Sequence, residues 1–300
     1  MHAFRSLLTT LPPGARYMLA SALAFALMGM CVKIAGQQGI PVLEIIAARA
    51  LVSLVLSYGD VRRKNIPLFG THRLLLVMRG LVGFVSLTGV FYALVHLPIA
   101  EASVLQYLHP MFTAIIALLW LKERPGIATV ACIGLSFIGL LVMVRPAFLF
   151  GGAAADYDTL AVAIAIAGAF GSGLAYTIVR RLSALEDPSV IVFYFPLVTL
   201  PATLLLLGDD FVIPRGWGWL TLLMVGVFTH IGQVTLTLAM RVETASRAGS
   251  FSYTQVVFAT VIGAVVFDEI PGFWTLAGAA LILCGALINI LWKPAKRRMN

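Results

Sequence analysis

Ile99 to Gly126 reads IAEASVLQYLHPMFTAIIALLWLKERPG, and the fold is read outward from this stretch. It opens on small residues and an acid, passes through Gln106, Tyr107, His109 and Pro110, and stays apolar to Trp120. It then stops at Lys122, Glu123, Arg124, Pro125 and Gly126. About 20 apolar residues cross a bilayer, so the run is long enough to span one. A His-Pro pair near its middle is unusual. Proline lacks an N–H and frees the carbonyl one turn back, here that of Gln106. An ionisable group at membrane depth is a functional-site hypothesis by default.

The stretch has a degenerate copy, Ala245 to Gly272, ASRAGSFSYTQVVFATVIGAVVFDEIPG. At one constant offset Ala102 falls on Ala248, Tyr107 on Tyr253, His109 on Gln255, Glu123 on Glu269, Pro125 on Pro271 and Gly126 on Gly272. The chain therefore reads as two halves of one design. Val256 stands where the first half has Pro110, which predicts a straighter ninth helix and an imperfectly symmetric site.

The composition agrees with a membrane protein. Of 300 residues, 60% are hydrophobic and 11% charged, and mean hydropathy is +0.98. Soluble domains rarely combine those values. Residues 1–16 lack an apolar core and an A-x-A site, so no cleavable signal is expected. A net charge of +8 raises nucleic acid as a partner. The basic residues sit at helix ends and tails rather than in one patch, which argues against it. Cys31, Cys132 and Cys284 fall in apolar runs and read as packing residues, and no Cys/His spacing suggests a metal. AGAFGSGLAY (167–176) lacks the Lys-Ser/Thr pair of a phosphate loop. Its small residues Gly168 and Ser172, four apart, suit close helix packing. No cofactor is expected.

Hydropathy places ten spans near 15–36, 40–58, 73–95, 98–120, 126–144, 159–180, 188–207, 217–240, 243–267 and 271–292. The fold class expected is an all-α polytopic membrane protein, with ten transmembrane helices in two inverted five-helix repeats. Residues 15–146 form the first repeat, 147–158 a Gly/Ala-rich linker, and 159–292 the second. Lys and Arg concentrate on one side, including Arg5, Arg62, Arg63, Lys64, Lys122, Arg124, Arg180, Arg181 and the tail Lys293 to Arg298. The other side carries only Lys33, Arg145 and Arg215. This bias predicts both termini in the cytoplasm. Five is odd, so the halves insert with opposite topology, a transporter architecture with its site near the midplane between repeats.

At this point the chain resembles the EamA family of the drug/metabolite transporter superfamily, over about residues 15–292. The resemblance rests on Lys33 closing the first span, Arg49 in the second, RGLVGFVSLTGVFYAL (79–94), LPIAEASVLQYLHPMFTAIIALLWLKE (97–123), and the glycine-patterned fifth and tenth spans. It implies a secondary transporter of small metabolites in a bacterial inner membrane. It points to exporters of amino acids and related compounds, or to importers of S-adenosylmethionine-like or nucleotide-type metabolites. The matched motifs do not choose the substrate.

Several polar residues lie at depth. His109 suits a substrate carboxylate, a substrate amine or a proton, and equally an interhelical bond. His230 and Gln233, three apart, share a helix face and suit a cavity or an interhelical contact. Tyr107, its copy Tyr253, Gln255 as the copy of His109, and Tyr176 complete the substrate-binding set; Gln106 is a further polar candidate, and Trp120 reads as an interface anchor. Arg79, just over one turn inside the third span, suits gating, structure or snorkelling to the interface. Arg49 and Glu44, five apart, are off the pairing spacing and are expected to pair across helices. Glu44 and Glu101 are expected near the outer surface, where they are easily solvated. Pro110 supplies the kink.

An intramembrane enzyme is the first rival, but no HExxH, G-x-S-x-G or intramembrane aspartyl pair is present. A receptor or scaffold is the second, and would carry an output domain. Expected partners are a small-molecule substrate and the lipid bilayer, with no nucleic acid, in a monomer or homodimer.

Overall fold

The computed structural model describes residues 11–97, 99–150, 158–208 and 212–292. Arg5, the basic tail Lys293 to Arg298, and 151–157 of the expected linker lie outside the described residues. The described regular structure is helical throughout. Among the described residues, ten helices are long and apolar enough to cross a membrane: Pro13–Gln37, Val42–Arg63, Arg73–His96, Glu101–Trp120, Ile127–Val144, Thr159–Ser183, Pro188–Leu207, Gly218–Val242, Ala245–Val266 and Phe273–Leu291. They are called the first to tenth spans below. The face where the first span begins and the tenth ends is the terminal face; the other is the opposite face.

The packing is two-fold between the halves. The second span packs on the seventh and the fifth on the tenth, while the third pairs with the sixth as the eighth does with the first. Exchanging the halves maps each pairing onto itself or onto another. Five spans per half make the repeats inverted.

Without a hydrophobic drive between helices in lipid, close approach depends on small residues. The fifth and tenth spans show this. A Cβ at Gly139 would lie 2.6 Å from the Gly278 carbonyl, and one at Gly285 would lie 3.1 Å from the Cys132 carbonyl. Gly134 faces open space instead. These spans are not purely apolar at their contact. Buried Asn289 accepts from Thr129 Oγ1 (3.2 Å) and donates to Ser250 Oγ (2.8 Å), tying the fifth, ninth and tenth spans together.

The fourth span breaks where Pro110 requires, into helices Ile99–Gln106 and His109–Trp120. The ninth span corrects the sequence expectation: it breaks as well, through a 3₁₀ turn at Phe251–Tyr253. The reason is local. Ser250, Ser252 and Thr254 donate their hydroxyls to the carbonyls of Arg247, Gly249 and Phe251 at 2.9, 2.6 and 2.6 Å. Such back-bonding competes with the helical ladder and bends it without proline.

The ends of these two spans repeat one device. Lys122 and Asp268 take left-handed φ of 57° and 53°. The next amides reach back six residues, Glu123 N–H to the Ala117 carbonyl and Glu269 N–H to the Gly263 carbonyl, both at 3.1 Å. Each helix thus ends in a left-handed C-terminal cap closed by a non-glycine residue. It turns each glutamate sideways, toward the other repeat.

Candidate functional site

A cavity of about 200 Å³ lies between the repeats. It is built on the interruption of the fourth span. There Tyr107 and His109 project from either side of the break, with ring centroids 6.1 Å apart. Tyr176 of the sixth span meets His109 edge-on at 5.0 Å. Gln106, Gln233 and Gln255 add amides from the fourth, eighth and ninth spans. His109 is buried, and its Nδ1 has no hydrogen-bond partner among the described residues.

Both intramembrane arginines reach this cavity. Arg79 is only 4% exposed and does not snorkel. Gly83, one turn along, makes room for it, because a Cβ there would collide with Nη1. The guanidinium lies 4.8 Å from the Phe195 ring centroid, and Nη2 makes a long 3.4 Å bond to Gln233 Oε1. Its Nε and Nη1 have no acceptor among the described residues. Arg49 lies 6.0 Å from the same ring.

The structure separates other expected site residues from the cavity. Tyr253 is fully buried in a cluster with Val104, Leu140 and Ile282. Its hydroxyl donates to the Tyr107 carbonyl at 2.8 Å, so it braces the break rather than facing the cavity. That bond takes up the carbonyl adjoining Gln106, so the kink serves contact between the repeats. His230 contacts Ser57 Oγ (3.3 Å) and Asp60 Oδ2 (3.2 Å), joining the eighth span to the second. The eighth span turns Gln233 inward and His230 toward the second span. Neither Arg49 nor Glu44 finds the charged partner on another helix that was expected, among the described residues. Glu44 Oε2 instead accepts from the Val212 amide at 3.0 Å. Glu44 and Glu101 are both buried, contrary to the solvated position expected, and Glu101 Oε1 accepts from the Ala147 amide at 2.9 Å. Pro110 sits buried at the break.

Sequence reasoning missed Phe195, Phe25, Ser86 and Ser172 in the lining. It also missed the two ends of the site. At the terminal face Glu123 Oε1 accepts from Arg180 Nε and Oε2 from the Ala245 amide, each at 2.8 Å. Arg180 Nη1 donates onward to the Met240 carbonyl at 2.7 Å. This cluster joins the fourth, sixth, eighth and ninth spans. At the opposite face the matching glutamate, Glu269, pairs with Lys33 at the end of the first span. The repeat motif, already visible as a constant offset, was the signal for this symmetry. Phe25 and Gln255 line both the central cavity and a crevice that runs to the Lys33–Glu269 pair. The depression beside Glu123 and Arg180 shares no lining residue with the central cavity.

Comparison with known proteins gives this architecture a family. The model of the EamA-like transporter family matches residues 12–145 and 159–291. The chain is 31% identical to the pseudopaline exporter CntI of Pseudomonas aeruginosa, over 93% of this chain and 96% of that protein. It is 27% identical to the riboflavin transporter of Vibrio cholerae, over 95% of each. It is 25% identical to human solute carrier family 35 member G1, over 94% of this chain and 81% of that one. A crystal structure with 21% identity superimposes with a TM-score of 0.81 over 93% of this chain and 96% of the other, which shows the shared fold. The chain belongs to the EamA-like transporter family and is a multi-pass membrane protein.

Proposed function

We propose that this EamA-family chain is a secondary transporter that exports amino acids or related small metabolites across the bacterial inner membrane by alternating access. One observation carries the reading: a polar cavity at membrane depth on the repeat interface, with a glutamate-centred ion pair of the same origin at each end. Polar groups at that depth are tolerated where they face water or protein. Inverted repeats bring equivalent positions together at the midplane. In this reading the two moving units are residues 15–146 and 159–292.

Arg62, Arg63, Lys64, Arg73, Arg124, Arg181 and Arg241 lie at the terminal face and support its placement in the cytoplasm. The likeness to an exporter of known cargo supports the direction. An importer of S-adenosylmethionine-like cations has less support, since it would set a positive charge beside Arg49 and Arg79.

Counterflow in liposomes tests the reading, because only a transporter moves labelled solute across a sealed membrane. A buried donor deprived of its partner costs about 1–3 kcal/mol. His109→Ala and Gln255→Ala are each expected to slow counterflow roughly tenfold at unchanged folded yield. Normal counterflow in both variants would place the site elsewhere and leave His109 as interhelical glue.

A further inference from the structure

The geometry points to an oxyanion-bearing metabolite of net negative charge as the cargo, with Arg79 and Arg49 as its anchors. The inference rests on the proposed function and names the chemistry of that same cavity.

Arg79 carries its charge at membrane depth, 4% exposed. The groups around it leave that charge uncompensated: an aromatic face at 4.8 Å and one long amide bond. Arg49 approaches the same Phe195 ring from the second span, so two like charges share one aromatic platform. The lining includes no aspartate or glutamate among the described residues. Glu44, the acid nearest in sequence to Arg49, is committed to the Val212 amide. Buried charges are kept where something pairs them. Among the described residues, Arg79 Nε and Nη1 are donors without acceptors, and His109 Nδ1 has no partner in the same cavity. A ligand oxyanion meets all three needs: it neutralises the arginines, accepts from the free N–H groups and engages the imidazole. A net cation leaves the two arginine charges unneutralised. Phe25, Met28 and Leu87 offer an apolar wall for the rest of the molecule.

Carboxylate and phosphate share this chemistry, and the experiment separates them. Succinate, glutamate, inorganic phosphate, glutamine and lysine amide are titrated against the purified full chain in nanodiscs, with ligand-induced thermal shift and calorimetry as readouts. The expected result is binding of the dianions and of glutamate ahead of glutamine, with lysine amide inert. Succinate ahead of phosphate assigns a carboxylate, and the reverse a phosphate. Arg79→Gln is expected to weaken anion binding at least tenfold, Arg79→Lys less so, and Arg49→Gln by several fold. Arg49 makes no hydrogen bond among the described residues, so its variant keeps the test open if Arg79→Gln folds poorly. Preference for lysine amide, absence of anion binding, or anion binding unmoved by both glutamine variants would each overturn the inference. Counterflow of any solute by the wild-type chain would leave the transporter reading standing in that event. Intact anion binding without counterflow would reject the transporter reading alone.

Discussion

Glu123→Gln is expected to open the terminal face. The carboxylate accepts two 2.8 Å bonds, one from a guanidinium and one from the Ala245 amide, and its side chain is 16% exposed against 23% for Arg180. Hydrogen bonds to charged groups contribute about 1.5–3 kcal/mol each. Glutamine keeps the shape and one acceptor but loses the charge, so the expected loss is about 1.5–2 kcal/mol. The symmetry-related Lys33–Glu269 pair is 41% and 58% exposed. A pair of that exposure is worth about 0–1 kcal/mol. The difference, about 0.5–2 kcal/mol, favours the form closed at the terminal face by roughly 2- to 30-fold. Glu123→Gln should erase that preference, and Glu269→Gln should leave it. Spin labels at Gly126→Cys and Leu185→Cys, both at the terminal face, read it as a distance distribution by electron–electron double resonance. A second, longer population should appear in Glu123→Gln and stay minor in Glu269→Gln. Equal effects from both variants, or none from Glu123→Gln, would refute the reasoning.

Three further outcomes are expected. Single cysteines at 123 and 269 in a cysteine-free chain should react with an impermeant reagent from opposite sides of the membrane, 123 from the cytoplasm. Gly278→Leu should lower folded yield more than substrate affinity, because its Cβ would collide with the Gly139 carbonyl in the contact between the fifth and tenth spans; a folded variant with selectively altered affinity would contradict this. The third concerns acid. Burial opposes ionisation of Glu186, but bonds from the Thr71 hydroxyl and from the His72 and Thr71 amides outweigh it and hold the carboxyl below its ordinary 4.5. A depressed folded value means stability that is full above the unfolded value and is lost as pH falls through the folded one. Melting temperature should therefore fall below about pH 4.5, with a smaller acid-side drop in Glu186→Gln.

The fold was legible because hydropathy and a constant offset carry it directly: the ten spans lie within a few residues of their expected ends, and Pro110 marks a break. The break at Phe251–Tyr253 was not legible by the same rule. It comes from hydroxyls bonding back to the chain, and Ser250, Ser252 and Thr254 look ordinary in a polar-tolerant stretch. For the site, sequence gives depth but not rotation. His230 and Gln233 sit on one side of a helix, yet packing turns Gln233 into the cavity and His230 onto Asp60. Tyr253 and Gln255 copy Tyr107 and His109, yet the tighter 3₁₀ turn buries Tyr253 and leaves Gln255 at the lining. Arg79 was ambiguous by depth alone. The glycine at 83, which makes space beneath the guanidinium, was the available clue.

The most direct test of alternating access is the reach of a single cavity residue. Ser172 lines the cavity on the sixth span. Ser172→Cys, in a cysteine-free chain in sealed vesicles, is exposed to an impermeant thiol reagent on one side at a time. The account predicts modification from either side, faster from the opposite face, with Glu123→Gln raising the rate from the terminal face. Modification from one side only, unchanged by Glu123→Gln and by Glu269→Gln, would contradict it.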